Sequence, residues 1–363
     1  MSERVEPLGP TWEAPLGAAE LRKLCEGLPS LMPACPESAA LGERCSLIAL
    51  TEAGSALAND ATSAKSVCAI GAFDGVHAGH RELISATCAE ARERGLASVA
   101  VTFSCDPSEV VPGAKPQAEL LTVADRIRVV ASLGVDAVLV LNFTREMASM
   151  PHTGFVSDVL VPAIHPVSIH VGSDFRMGAK GAGTVEAMAA YGAGLGIAVT
   201  GHSLVELAGS RVSATRVRAL VGEGKVGDAA ELLRRCHFVR GTVEHGRGEG
   251  TSFGFPTANV HVSPKCCLPA EGVYAAIVTS GDSAWPAAVN VGAPRSFGGE
   301  AGAPLIEATL VGFSGDLYGA ELGVAFVAWL REPRRFATLE ELERTVLGNV
   351  EWVRTYLGEG ELS

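Results

Sequence analysis

The sequence predicts an α/β domain followed by an all-β domain: a mainly parallel sheet with helices on both faces, then an antiparallel barrel or sandwich with a terminal helix. Three observations carry this. Apolar runs alternate with helical stretches from about residue 66 onward, the texture then turns to short strands divided by Gly and Pro turns, and a capped amphipathic stretch comes last. The 363 residues, 47% apolar and 19% charged, have the make-up of folded domains, and their number suits two or three of them.

In chain order, residues 1 to about 45 mix Pro, Ala, Glu and Cys around a short helical hint at "AAELRKLCEG", and they read equally as a loose extension or a docked accessory segment. The runs "SVCAIG", "LASVAVTF", "DAVLVLNF", "VSIHVG" and "GIAVT" then read as strands, divided by helices such as "RELISATCAEARERG" and "TVADRIRVVASLG". In the first helix Leu83, Ile84, Thr87, Cys88 and Ala91 share one face at i, i+3, i+4 spacing, and Gly95 supplies a stop. "VGEGKVGDAAELLRRC" reads as one more helix. A second domain begins near residue 229, and its strands "FVRGTVEHG", "EGVYAAIVTS", "AWPAAVNVG", "LIEATLVGF" and "LGVAFVAWL" have no helix between them. The last helix, "TLEELERTVLGNVEWVRTYL", has Thr338 as cap, Glu341 three residues on, and Leu342, Val346, Val350 and Val353 as its apolar stripe.

A net charge of −12 without a cationic stripe argues against a nucleic-acid footprint. Nine cysteines with no CxxC pair suggest neither a zinc site nor a disulfide framework, and fit a reducing cytoplasm. No leader pattern opens the chain and no apolar run is long enough to span a membrane, so none is expected as a partner. Composition leaves the oligomeric state open.

Function points first to "AIGAFDGVHAGHREL". His77 and His80 stand at a strand-to-helix junction on the carboxyl edge of the predicted sheet, where open parallel sheets bind ligands. Unpaired N–H groups at a helix start attract phosphate, and two imidazoles on one side of the first turn add donors for charge developing on it. Gly71, Gly75 and Gly79 let backbone and phosphate approach, and Asp74 is expected to pin the turn by bonding local amides. The ordinary alternative is a pair of surface histidines. No GxxxxGK[ST] loop is present.

"IGAFDGVHAGH" resembles the opening signature of the bacterial bifunctional riboflavin kinase/FMN adenylyltransferase family, the FAD synthetases, and further likenesses follow in the family's order over roughly residues 46 to 357. The resemblance implies a Rossmann-like nucleotidylyltransferase domain at 46–228, a β-barrel riboflavin kinase module at 229–357 and a tail at 358–363, with the role of 1–45 open. It implies phosphorylation of riboflavin to FMN and adenylylation of FMN to FAD with release of pyrophosphate. Riboflavin, FMN and ATP are then substrates, and Mg²⁺ arrives with ATP.

In the first domain the resemblance assigns catalysis to His77 and His80, and nucleotide or phosphate binding to Gly71, Phe73, Gly75, Gly79 and to Ser213, Thr215 and Arg218 of "VSATRVR". Asp174 and Phe175 of "VGSDFRMG" would seat the flavin. Ser213 is equally suited to capping a helix, and Asp174 and Phe175 to ending a strand. In the second domain, "GRGEGTSFGFPTANV" resembles the kinase phosphate loop and metal motif. Gly246, Gly248 and Gly250 would wrap phosphates, and Thr257 and Asn259, two apart on an extended stretch, would turn neutral oxygens to Mg²⁺. Glu307, followed at the family's distance by "DLYG" (316–319), matches the catalytic glutamate, although a lone acid on a strand also commonly faces solvent; Asn290 and Arg331 fall on flavin positions.

The chain departs from the family pattern at Asp106, where a histidine is usual before proline, and at Ala214, Glu249, Arg295, Ser296, Thr345 and Asn349. Asp106 would remove a donor and repel phosphate, or help hold Mg²⁺. These departures keep two other readings open: a riboflavin kinase whose first domain binds flavin or nucleotide without catalysis, and a non-catalytic flavin-binding regulatory protein.

Overall fold

The computed structural model describes residues 10, 12–17, 19–21, 46–51, 55–56, 64–110, 113, 115–245, 257–292 and 305–362, with the backbone alone at 46–51, 55–56, 180 and 305. The chain forms two compact units, one of residues 33–214 and one of residues 1–32 with 215–363.

The first unit is built on a seven-stranded sheet. Its strands are β1 (Ser46–Thr51), β2 (Ser55–Ala56), β3 (Ser66–Ile70), β4 (Ala97–Phe103), β5 (Ala137–Leu141), β6 (Pro166–Gly172) and, after the short pair β7 (Arg176–Met177) and β8 (Gly183–Thr184), β9 (Ala198–His202). The order is β2-β1-β5-β4-β3-β6-β9, parallel except for β2. Every residue of β3 is buried because both faces are covered. One face packs Cys68, Ile70, Val101, Leu139 and Ile169 under Phe155, Leu160 and Met188; the other lies under α1 (Ala78–Arg94).

The buried residues of α1 include Leu83, Ile84, Thr87, Cys88 and Ala91, the face the spacing predicts. Gly95 ends the helix in the left-handed region at φ 63°, its N–H donating to the carbonyls of Ala91 and Arg92. α2 (Val123–Ala131) is capped by the Thr122 hydroxyl, and α3 (Val185–Leu195) by that of Thr184. A short hairpin, β10 (Glu206–Leu207) and β11 (Ser210–Arg211), completes the unit.

The expected single helix at "VGEGKVGDAAELLRRC" is interrupted. α4 (Ala214–Gly222) and α5 (Val226–Leu233) are parted by Gly224, at φ 75° and so close to the Trp329 ring that a Cβ would lie 2.8 Å from it. Val226 enters the barrel core. The division into compact units falls at 214/215, ahead of both helices' buried contacts with the barrel.

The second unit is a closed antiparallel barrel of β12 (His237–Glu244), β13 (Ala258–Val262), β14 (Gly272–Ser280), β15 (Ser283–Gly292), β16 (Leu305–Leu310) and β17 (Glu321–Arg331) in the order β12-β13-β16-β15-β14-β17. β13 begins within "PTANV", the stretch read as extended from the sequence, and continues to Val262. Val239, Val260, Tyr274, Val289, Ile306 and Val324 fill the interior.

The terminal helix α6 (Leu339–Leu357) packs on β15 and β14. Thr338 accepts from the Glu341 N–H at 3.2 Å while Glu341 accepts from the Ala337 N–H at 3.0 Å, so both partners of the expected cap bond nearby backbone. The buried stripe is broader than the predicted one: Thr345, Asn349, Val350, Trp352, Val353 and Leu357 are buried, whereas Leu342 and Val346 are only half-buried. The tail is docked, with the Gly360 N–H donating to Val311 and that of Leu362 to Ala284.

Candidate active sites

In the sheet unit the loop from Gly71 to His77 leaves β3 and turns into α1 through backbone that few residues adopt: Phe73, Gly75 and Val76 have φ of 50°, 72° and 43°. Three anchors hold it. Asp74 is buried and accepts from the N–H groups of Leu120 (3.1 Å) and Leu121 (3.2 Å), so it pins a segment distant in sequence, beyond the local turn expected of it. Arg126, only 4% exposed on α2, donates to the carbonyls of Ala72 (2.7 Å) and Phe103 (2.6 Å). Phe73 is fully buried with its ring edge-to-face to His80 at 5.2 Å. Its side chain therefore supports the histidine from within the fold.

The glycines differ in their reasons. A Cβ on Gly71 would sit 2.8 Å from the Phe73 ring, Gly75 needs its positive φ, and a Cβ on Gly79 would meet only ordinary contacts at 3.4 Å from the His77 ring. Internal packing accounts for the first and backbone angle for the second.

His77 caps α1, and its Nδ1 accepts from the His80 N–H at 3.4 Å. The two imidazoles stack with centroids 3.7 Å apart and planes 14° from parallel. Burial pushes the His77 pKa down to about 4, with the nearby Arg211 charge adding to the fall against an opposing backbone hydrogen bond. Burial, then His77 and Arg126, push His80 well below the ordinary range. Both rings are therefore neutral near pH 7, and with Nδ1 accepting, the proton of His77 sits on Nε2, where it can be donated.

Arg211, on β11, is a functional candidate the sequence reading missed: it pairs with the Asp174 carboxylate and its charge reaches His77, which ties the histidine pair to the Gly172–Gly178 loop. Phe175 packs against the sheet core. A second missed group lies beneath: His170 bonds Glu90 through Nε2 and His202 through Nδ1, both at 2.8 Å, and fastens α1 to β6 and β9. Nothing in the spacing of Arg211, Glu90, His170 and His202 marks them. Asp106 accepts from the Ser108 N–H at 2.7 Å, at the start of a short helical turn. Ser213 stands just before α4; Thr215, exposed, and Arg218, half-buried, follow within it, on the barrel-unit side of the junction.

In the barrel unit, strand register gathers residues far apart in sequence. Glu244 pairs with Asn259, Asn259 with Glu307, Glu307 with Asn290, Asn290 with Val273 and Val273 with Arg331. This single row crosses all six strands. Its flanking residues Ala258, Val260, Ile306, Ala308, Val289 and Val291 point into the core, so the row faces outward by strand alternation, and Asn259, Glu307 and Asn290 are half-buried there. Side chains paired in this way stand about 5 Å apart.

Thr257, also half-buried, precedes β13 and shares the parity of Asn259. Two neutral oxygens side by side fit a magnesium ion that keeps phosphate and water as its other ligands. No group of three or more His, Cys, Asp or Glu is arranged for a metal among the described residues. At the row's other end, Arg331 donates through Nε to Asn349 Oδ1 at 3.3 Å, so the amide in place of the usual acid still serves as its acceptor. Burial, then Arg334, lower the Arg331 pKa to about 10. His245, the last described residue before the glycine-rich stretch, stacks on Tyr318 of "DLYG" at 3.9 Å. Gly246, Gly248, Gly250, Glu249, Arg295 and Ser296 lie outside the described residues.

The comparisons with known proteins divide the chain similarly. The FAD synthetase family matches residues 59–216 and the riboflavin kinase family residues 233–357. The bifunctional riboflavin kinase/FMN adenylyltransferase of Escherichia coli (strain K12) is 33% identical over 80% of this chain and 93% of its own length; that of Pseudomonas fluorescens is 34% identical over 78% and 90%. A crystal structure described as a macrolide-efflux protein from Streptococcus pneumoniae superposes with a TM-score of 0.75 at 27% identity, covering 85% of this chain and 99% of that one. The efflux description stays with that protein; no helix of the described residues is long and apolar enough to cross a membrane. With both catalytic domains matched and full-length relatives above 30% identity, the chain belongs to the bifunctional riboflavin kinase/FMN adenylyltransferase family, whose members make FMN from riboflavin and FAD from FMN.

Proposed function

We propose that the two activities run at two separate sites with these residue roles, both using ATP and Mg²⁺ in a reducing cytoplasm. The observation that carries the kinase half is the register row, which sets Glu307 between Asn259 and Asn290. Glu307 accepts the proton of the terminal ribityl hydroxyl as that oxygen attacks the γ-phosphorus of ATP, and ADP leaves. Thr257 and Asn259 would hold Mg²⁺, which when bound would supply positive charge to offset that of the phosphates. Asn290 and Arg331 orient the flavin, and the amides of Gly246, Gly248 and Gly250 take the remaining phosphate oxygens.

In the sheet unit, an FMN phosphate oxygen attacks the α-phosphorus of a second ATP, the α–β bridging bond breaks, and pyrophosphate departs. Neutral His77 and His80, with the free N–H groups of the α1 start, donate to the oxygens that gain charge. Ser213, Thr215 and Arg218 bind nucleotide phosphate, and Asp174, oriented by Arg211, holds the flavin edge with Phe175. Support for this half rests on the stacked, buried pair at a helix N-terminus. The reducing setting rests on the nine scattered cysteines.

The test is a time course on the purified chain with riboflavin, ATP and Mg²⁺. Riboflavin should fall, FMN should rise and then decline, and FAD should accumulate, with chelation of Mg²⁺ stopping both steps. FMN that builds up without FAD would reduce the chain to a riboflavin kinase.

A further inference from the structure

Pro10, Trp12 and Leu16 lie outside both family matches, which begin at residue 59, yet they pack on the helix that closes the kinase barrel. Trp352 Nε1 donates to the Pro10 carbonyl at 2.8 Å, and Trp352 is only 1% exposed. The Trp12 ring meets Trp352 edge-on at 4.8 Å and Tyr356 at 5.7 Å. The Leu16 N–H donates to the Tyr356 carbonyl at 2.9 Å. That carbonyl is among the last four of α6, which have no partner within the helix. One ring in two edge contacts and two hydrogen bonds thus fasten the final turns of α6 from outside the shared domain.

The fastening bears on the flavin end of the barrel. Asn349, the acceptor for Arg331, precedes Trp352 by three residues on α6, so the two share a helix face. Trp12 also borders an open cavity of about 470 Å³ with Val327, Ala328 and Trp329 of β17, the residues leading to Arg331. The segment therefore touches α6 and shares a cavity with β17, the two elements that hold the Arg331–Asn349 pair.

We propose that residues 10–21 are a strap that positions the riboflavin site, with Trp12 as the positioning residue acting through Trp352 and α6 on Arg331. This rests on the assignment of Arg331 to the flavin. Trp12 contacts no reacting group, so its loss should weaken riboflavin binding and spare phosphoryl transfer.

The test uses the full-length chain and its Trp12→Ala and Trp12→Phe variants, with both activities assayed in each. Trp12→Ala should raise the riboflavin KM about 5-fold, as expected for loss of an edge-to-face aromatic contact. The kcat of phosphorylation and both constants for FMN adenylylation should stay within 2-fold, and Trp12→Phe should restore the KM. Acrylamide quenching of the remaining tryptophans should increase in Trp12→Ala as Trp352 becomes exposed. An unchanged KM with Trp352 newly exposed would overturn the proposal. So would equal loss of both activities, because the segment would then support the whole chain and not the flavin site. An Arg331→Lys variant of the intact chain separates the two assignments: an unaltered riboflavin KM there removes Arg331 from the flavin site and leaves the Trp12 result to stand or fall by itself.

Discussion

The two units assemble their chemistry in opposite ways. In the sheet unit the decisive pair is local: His77 and His80 are three residues apart, and one helix start stacks their rings. In the barrel unit Asn259, Asn290, Glu307 and Arg331 lie on four different strands, and only the pairing register brings them into one row. A local site survives as long as its turn survives, whereas a register site depends on every intervening strand. A one-residue slip of β16 would turn Glu307 into the core.

The sharpest test of this separation is a pair of substitutions. Glu307→Gln should lower riboflavin phosphorylation by at least about 100-fold, the usual worth of a positioned proton acceptor, and leave FMN adenylylation intact. His80→Ala should do the reverse by a similar factor. Product analysis of each variant with riboflavin and with FMN checks both. Joint loss in either variant would mean that the two sites are not independent.

How far each site was legible follows from the same contrast. The α1 face, its Gly95 stop and the histidine pair could be read from spacing, because helical neighbours are sequence neighbours. The barrel row could not. Glu307 and Asn290 could be placed by resemblance, but β13 pairs with β16 across an intervening hairpin, a long-range choice that no local pattern encodes. The anchors Asp74–Leu120, Arg126–Phe103 and Arg211–Asp174 were hidden for the same reason, each joining distant segments through one side chain. The broken helix at Gly224 was hidden because its cause is the ring of Trp329, far along the chain.

Acid should separate the units by a smaller effect. His77 in the sheet unit and His237 in the barrel unit both have pKa values pushed down to about 4, first by burial, and His80 is lowered as well. An unfolded histidine titrates near 6.5, so between about pH 6.5 and 4 the unfolded chain binds more protons than the folded one. The stability contributed by each neutral ring is therefore fully present above about pH 6.5 and declines as the pH falls through that window, by about 2 kcal/mol at pH 5 for His77 and for His237. The sheet unit carries two such rings in contact where the barrel has His237. Heat inactivation followed through each activity should accordingly show FMN adenylylation losing more thermal tolerance than riboflavin phosphorylation between pH 7.5 and 5. Equal losses would place the acid sensitivity outside these rings.

The smallest effect probes the end of the row. Arg331 donates to a neutral amide, and its own charge is disfavoured by burial and by Arg334. In Asn349→Asp a carboxylate would meet the guanidinium with a charge-assisted bond about twice as strong, offset by the cost of burying a second charge at a position 3% exposed. The two terms nearly cancel, and the riboflavin KM should fall by only about 2-fold, whereas Asn349→Leu, which deletes the acceptor, should raise it about 5-fold. A large gain in Asn349→Asp would mean that the amide limits flavin binding in this chain. No response in Asn349→Leu would mean that Arg331 keeps its place without α6, and the register row alone would then account for the barrel site.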